Sequence, residues 1–219
     1  MDIVEESKTL SAICVLPTYN EKNTIAEIIE CIFELQNEIN NFTLKVLVVD
    51  DMSPDGTGDI VLGLMKKYQN LSLIQGAKMG LGAAYIRGIR EAIDKLGADV
   101  IIQMDSDGQH DPNVIKNFLL LTSEYDVVIG SRFTEGGKVI DFSMWRLFLS
   151  LFGNFLVRYL GGAYLIKDCT SGFRSINVSI LKKCDLKNFP TKGYSFQSWL
   201  ICDLLNNGAS ITEIPKASD

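Results

Sequence analysis

Two carboxylates, an amide and the chain's only histidine lie within Met104-Asp-Ser-Asp-Gly-Gln-His110. In an extended turn alternate residues face one side, so Asp105, Asp107 and Gln109 can aim three oxygens at one ion. Oxygen-only ligation selects a hard cation, Mg²⁺ or Mn²⁺, with positions left for substrate phosphates. Such an ion bridges a diphosphate and neutralises the charge that builds on it as it departs. A competing reading needs no ion: Asp-Ser-Asp-Gly closes an Asx-type turn, and His110 starts or caps a helix begun at Pro112. An isolated DxD is more often that turn. Calcium binding of the EF-hand type is a weaker rival, since the spaced ligands and terminal glutamate of that loop are absent.

Three more polar loops carry chemistry. In Pro17-Thr-Tyr-Asn-Glu21, Tyr19 offers a flat face to a base and Glu21 an acceptor, although Asn20 to Thr24 also read as a helix cap. Asp50 and Asp51 suit a ribose or base edge, while Ser53-Pro-Asp-Gly56 is equally good turn chemistry. Gly76 to Gly82 has the glycines of a phosphate-cradling loop, with Lys78 as a phosphate contact. It lacks the Walker lysine-serine pair, and Tyr85 occupies the third glycine of a dinucleotide fingerprint, so kinase-like and dehydrogenase readings lose support.

These loops need elements to hold them. Ala12–Leu16, Lys45–Val49, Leu71–Ile74, Val100–Met104 and Val127–Ile129 are short apolar runs that read as strands. Thr24–Leu35, Thr57–Tyr68, Leu81–Leu96 and Asn113–Ser123 carry apolar residues at helical spacing. This alternation predicts an α/β fold: a mostly parallel sheet, buried on both sides, with helices on both faces. Ligands of such sheets bind at the carboxyl ends of the strands, where all four polar loops fall. From about Thr134 the alternation breaks without a linker, which predicts one domain over 1–219.

With 219 residues and 47% hydrophobic content the chain can bury a substantial core, and its net charge of −6 argues against a nucleic-acid binder. Five scattered cysteines without a CxxC pair read as reduced thiols of a cytosolic compartment, and the acidic start is no secretory signal. Phe148 to Ile166 is about long enough to span a bilayer. Arg158 near its middle would cost roughly 2.5–3.5 kcal/mol there, so a helix buried or lying at a membrane surface is the better reading.

Taken together, the chain resembles the family-2 glycosyltransferases of the GT-A fold, and most closely the dolichyl-phosphate mannosyltransferase (polyprenyl-phosphate glycosyltransferase) branch. The match rests on Leu16-Pro-Thr-Tyr-Asn-Glu21, Val48 to Thr57, Lys78-Met-Gly-Leu-Gly-Ala-Ala-Tyr85, Met104 to His110, Gly130-Ser-Arg132, Ser171-Gly-Phe-Arg174 and Gly193-Tyr-Ser-Phe-Gln197. These keep the family's order from Ile13 to Pro215. The resemblance implies that Pro17, Tyr19, Glu21, Asp50 and Asp51 hold the donor nucleotide. It places the metal on Asp105, Asp107 and Gln109, with Ser106 touching ribose or diphosphate. Arg132 would stand at the reaction centre, and Arg146 and Ser150 would meet an acceptor phosphate behind a mobile Gly136-Gly137 loop. Residues 1–133 would then form the nucleotide-sugar and metal part, and 134–219 the acceptor and membrane part.

The implied partners are a nucleotide sugar, GDP-mannose or a UDP-hexose, and polyprenyl or dolichyl phosphate, at the cytoplasmic face of a membrane. The family's members continue past Glu-Ile-Pro into a basic segment, and many add transmembrane helices, whereas this sequence stops at Asp219. Two expectations follow: either the sequence is truncated after Pro215, or membrane contact comes from the 148–166 helix and a membrane-anchoring subunit. Rival readings keep the fold and change the acceptor or the donor, to UDP-glucose or UDP-GlcNAc, or make the chain an inactive nucleotide-sugar-binding subunit. A nucleotidyltransferase would want a glycine-rich basic loop after strand one, where Pro17-Thr-Tyr-Asn-Glu21 stands.

Overall fold

The computed structural model describes residues 9–134, 158–159, 162–187 and 195–216. The first half alternates as its apolar runs require: β1 (Leu10–Thr18), α1 (Ile25–Glu34), β2 (Phe42–Asp50), α2 (Thr57–Leu64), β3 (Leu71–Gln75), α3 (Leu81–Asp94), β4 (Val100–Gln103), α4 (Val114–Leu121) and β5 (Val127–Ser131). Later come β6 (Arg174–Asn177), a short α5 (Val178–Leu181), α6 (Ser195–Asn206) and β7 (Ile211–Pro215). The strands form one seven-stranded sheet in the order β3-β2-β1-β4-β6-β5-β7.

Period-two alternation sorts the core. Ile13 and Val15 of β1, with Leu47 and Val49 of β2, face one layer with Tyr85, Ile89 and α6 residues such as Leu200. Ala12, Cys14 and Leu16 face the other, against Ile25, Ile29 and Ile32 of α1 and Ile115 and Phe118 of α4. The helix α3 lies close on the sheet because Gly88 has no side chain: a Cβ there would sit 2.5 Å from Val15 Cγ1 and 2.8 Å from Val49 Cγ2.

The mostly parallel sheet with helices on both faces is as the sequence predicts, and several elements differ in detail. The strands β1 and β2 run further than their apolar runs, since backbone pairing carries Leu10 to Thr18 against Phe42 to Asp50. The helix after Pro112 begins at Val114. The stretch ending at Arg174, read as a loop, opens β6, which pairs antiparallel with both β4 and β5. Asp168 to Phe173 therefore bring β6 back along the ends of its neighbours.

The apolar segment from Phe148, Gly136-Gly137, Arg146, Ser150 and Gly193-Tyr194 lie outside the described residues, apart from Arg158 and Tyr159, which are helical, and 162–166, which form a bend and a turn where the sequence predicts that the helix runs on, with Gly162 at φ 75°. Among the described residues no helix is long and apolar enough to cross a membrane.

Candidate functional site

The loops after β1 and β2 are laced together by three backbone donors of the first and three side-chain oxygens of the second. The Asn20 N–H donates to Ser53 Oγ (2.9 Å), Glu21 N–H to Thr57 Oγ1 (3.0 Å) and Lys22 N–H to an Asp55 carboxylate oxygen (3.2 Å). Asn20 and Met52, one in each loop, hold positive φ angles of 64° and 54°, a backbone region uncommon for residues other than glycine. Thr24 makes no side-chain cap to α1. Its hydroxyl donates to the Ser106 carbonyl at 2.7 Å, tying the first loop to the loop after β4.

The four loops thus meet at one sheet edge, and their side chains divide into two sets. Asp50 is fully buried, and its carboxylate accepts from Ser53 and from Gln75 Nε2 (2.9 Å), so it shapes the second loop from within. Ser106, expected at ribose or diphosphate, turns its hydroxyl inward to the Pro17 carbonyl at 2.6 Å. Both side chains act as internal fasteners, because a buried polar group takes the nearest partner the fold offers. Tyr19, Asp107 and Gln109 are exposed. Asp51 is buried, with Arg87 Nη2 2.7 Å from its Oδ1, and Lys78 Nζ stands 3.2 Å above the Tyr19 ring.

The stretch 104–109 is a series of bends, with Gly108 at φ 80°, and the straight alternation expected of it is absent. Asp107 Oδ1 accepts from the Gln109 N–H at 3.0 Å, so the Asx-type turn does form. That turn leaves Asp107 and Gln109 at the rim and sets Asp105 deeper. Tyr85 Oη donates to Asp105 Oδ1 at 2.7 Å, and His110 Nε2 lies 3.3 Å from its Oδ2. Burial works to raise the Asp105 carboxyl, but His110 and Tyr85 outweigh it and hold it below the ordinary value. Glu21 responds oppositely: burial, then Asp107, Asp55 and Asp105, push its carboxyl up. Acidic groups that repel one another beside an exposed carboxylate and amide suit a hard divalent cation. Gly172 keeps this pocket open, since a Cβ there would lie 3.1 Å from Asp105 Oδ2.

Across from these acids stands Arg132, at the end of β5. Its Nε and Nη2 donate to the two oxygens of Asp168 at 2.8 and 2.7 Å, and Nη2 also reaches Thr170 Oγ1 at 2.7 Å. Asp168 is fully buried, and although burial raises its carboxyl, Arg132 and Thr170 bring it below the ordinary value. Lys216 follows β7, its N–H donating to the Ser131 carbonyl at 3.1 Å. Burial and Arg132 depress its ammonium, while Asp107, Asp105 and Asp168 oppose them. The site is therefore acidic on the β4 side and cationic on the β5–β7 side. Beneath it, the buried Arg174 guanidinium donates to the carbonyls of Ser171 and Gln197, and burial pulls it down to about 10.

The sequence assigns no site role to Tyr85, Asp168, Glu213 or Lys216, and reads His110 only as the start or cap of a helix. In the sequence Tyr85 stands out for breaking a glycine pattern and for closing one of the family-like stretches, and Asp168 as part of a loop. None of the five cysteines is in a disulfide among the described residues, and burial pushes the thiols of Cys14, Cys169 and Cys184 up to about 12. Among the described residues no three carboxylate, imidazole or thiolate groups cluster so as to hold a metal ion.

This arrangement has relatives. Residues 13–185 match the family model described as glycosyl transferase family 2. The chain belongs to that family. As a family-2 glycosyltransferase it is 35% identical to the polyprenol monophosphomannose synthase of Mycolicibacterium smegmatis, over 94% of this chain and 77% of that protein. It is 33% identical to the undecaprenyl-phosphate mannosyltransferase of Micrococcus luteus, over 94% and 82%. Against the dolichol-phosphate mannosyltransferase of Pyrococcus furiosus identity is 30%, over 92% of this chain and 54% of that one.

Solved structures share the fold at lower identity. Mannosyl-3-phosphoglycerate synthase from Rubrobacter xylanophilus superposes with a TM-score of 0.69 at 21% identity, covering 96% of this glycosyltransferase and 67% of that chain. Glucosyl-3-phosphoglycerate synthase from Mycobacterium tuberculosis, solved with Mn²⁺, UDP and glucosyl-3-phosphoglycerate, gives 0.70 at 16%, covering 94% and 70%. The architecture is the GT-A, Rossmann-like one.

Proposed function

We propose that this glycosyltransferase moves a hexose, with mannose from GDP-mannose as the first choice, from a nucleotide sugar to polyprenyl or dolichyl phosphate, inverting the anomeric carbon. The observation that carries the reading is the polarity of the site: an acidic, cation-seeking loop after β4 faces Arg132 and Lys216 across the carboxyl ends of the strands. A reaction in which a phosphate nucleophile displaces a diphosphate leaving group from an anomeric carbon brings two anions together, and that division offsets their charge. The acceptors named for the relatives at 30–35% identity supply the substrate class.

In this reading Tyr19 stacks on the donor base and Asp51, steadied by Arg87, accepts from base or ribose. Lys78 lies beside Tyr19 within reach of donor phosphate. Asp105, Asp107 and Gln109 would hold Mg²⁺ or Mn²⁺, in keeping with the Mn²⁺ and UDP of the Mycobacterium tuberculosis synthase. When bound, the ion supplies neutralisation of the departing diphosphate. Arg132 holds donor diphosphate and acceptor phosphate together, offsetting their repulsion. The acceptor phosphate is already anionic at neutral pH, so no side chain has to remove a proton from it. Its oxygen bonds to the anomeric carbon as the bond to the diphosphate oxygen breaks.

Residues 1–133 form the nucleotide-sugar and metal part and 134–219 the acceptor part, in which Arg146 and Ser150 meet the acceptor phosphate. The protein acts at the cytoplasmic face of a membrane, by peripheral contact or with an anchoring subunit.

The experiment is transfer from a panel of GDP- and UDP-sugars to short polyprenyl phosphates, with and without Mg²⁺ or Mn²⁺. Asp107→Asn should abolish transfer while leaving thermal unfolding unchanged. Undiminished transfer by that variant, or transfer indifferent to the lipid phosphate, would refute the reading.

A further inference from the structure

Glu213 sits on β7, opposite Ile129 of β5 in the parallel ladder. Its two carboxylate oxygens accept from two successive backbone amides, Lys167 N–H and Asp168 N–H, each at 2.8 Å. The second amide belongs to the residue whose carboxylate grips Arg132. Asp168 receives the Arg132 side chain through Nε and Nη2, and its Oδ2 also accepts the Arg132 backbone N–H at 3.1 Å. Thr170 closes the group, its hydroxyl donating to Asp168 Oδ1 at 3.1 Å.

We infer that Glu213 is a positioning residue for the reaction centre: acting through Asp168, it fixes where the Arg132 guanidinium stands. The inference rests on the reading of Arg132 as the arginine that meets the donor diphosphate. Residues 162–173 have no helix or strand of their own. A bidentate pair directs a guanidinium only as well as its carboxylate is held, and a misplacement of about 1 Å at such a centre costs roughly a hundredfold in rate. Successive backbone N–H groups form a small anion-holding concavity, and here a carboxylate from a ladder strand fills it. The strand β7 thus gives the loop the rigidity it lacks, by one side chain that never touches substrate.

Calorimetric titration of the full chain with GDP and with UDP, in Mn²⁺, tests this. Four proteins are compared: wild type, Glu213→Gln, Arg132→Ala and the double variant. Glutamine keeps one acceptor for the two amides and turns a donor toward the other. Glu213→Gln should weaken binding of the preferred nucleoside diphosphate roughly tenfold, the loss expected for a disturbed charge-assisted contact. Arg132→Ala should weaken it more, and adding Glu213→Gln to Arg132→Ala should change nothing further. A residue that merely stabilises the fold would give the same loss in both backgrounds, and that result overturns the inference. So does unchanged affinity in either single variant. If wild type binds neither GDP nor UDP, the nucleotide-sugar reading falls, and the inference falls with it. Binding by wild type with additive losses sinks the inference alone.

Discussion

His110 Nε2 lies 3.3 Å from Asp105 Oδ2, with the imidazole buried and its ring 4.7 Å from that of Phe173. The one histidine of the chain thus stands behind a proposed metal ligand, orienting it from the protein side. Groups in that position typically account for 10–100-fold in metal affinity. His110→Ala should weaken Mn²⁺ binding about tenfold, read by titration of the purified protein. Unchanged affinity would mean that Tyr85 alone orients the carboxylate.

Asp168 links stability to pH. Its folded carboxyl is held below the ordinary 3.8, so between the two values the unfolded chain binds more protons. The stabilisation is complete above about pH 4 and is lost as pH falls through the lowered folded value. Asp168→Asn should flatten that acid limb. It should also destabilise the protein by about 3–5 kcal/mol at neutral pH, because Arg132 then lacks its buried counter-charge. Urea unfolding of both proteins across the acid range checks the sign and the size.

At Gly88 the expected effect is steric. A methyl group there would press on Val15 and Val49, in two adjacent central strands. Gly88→Ala should cost about 1–3 kcal/mol, the usual penalty of overpacking, despite the better helix propensity of alanine. A variant as stable as wild type by denaturant unfolding would show that α3 can move off the sheet freely.

Tyr19 is exposed at the rim with Lys78 over one face of its ring. If the ring carries the donor base, Tyr19→Ser should reduce GDP or UDP affinity roughly tenfold, within the range measured for base stacking on aromatic side chains. Fluorescence or calorimetric titration reads this directly. Equal affinities would move the base elsewhere along the loops after β1 and β2.

The sequence shows its first half plainly, since Ala12–Leu16 or Leu81–Leu96 announce strand and helix by local pattern. The loops announce themselves too, because Asp105, Asp107 and Arg132 are chemically conspicuous where they stand. What stays hidden is pairing across distance. Arg132 and Asp168 are 36 residues apart and Asp168 and Glu213 are 45 apart, and no local pattern marks either pair. His110 reads as a cap until the fold sets it against Asp105. Asp50 and Asp51 look alike in sequence, and only strand direction turns the first wholly inward. The strand β6 is hidden for another reason: four residues that begin with a buried arginine do not look like a strand until neighbours on both sides pair with it.

That strand also sets a timetable for synthesis on the ribosome. The strands β4 and β5 cannot be joined edge to edge, because residues 174–177 must slot between them. A nascent chain that has emerged only as far as Ser131 holds both edges unpaired, and it waits for some forty more residues before the sheet can close. Pairing this remote in sequence is slow, and exposed edges attract other chains in the meantime. The wait falls on the two strands that lead into Asp105 and Arg132, so the two sides of the site come into register only when the sheet does.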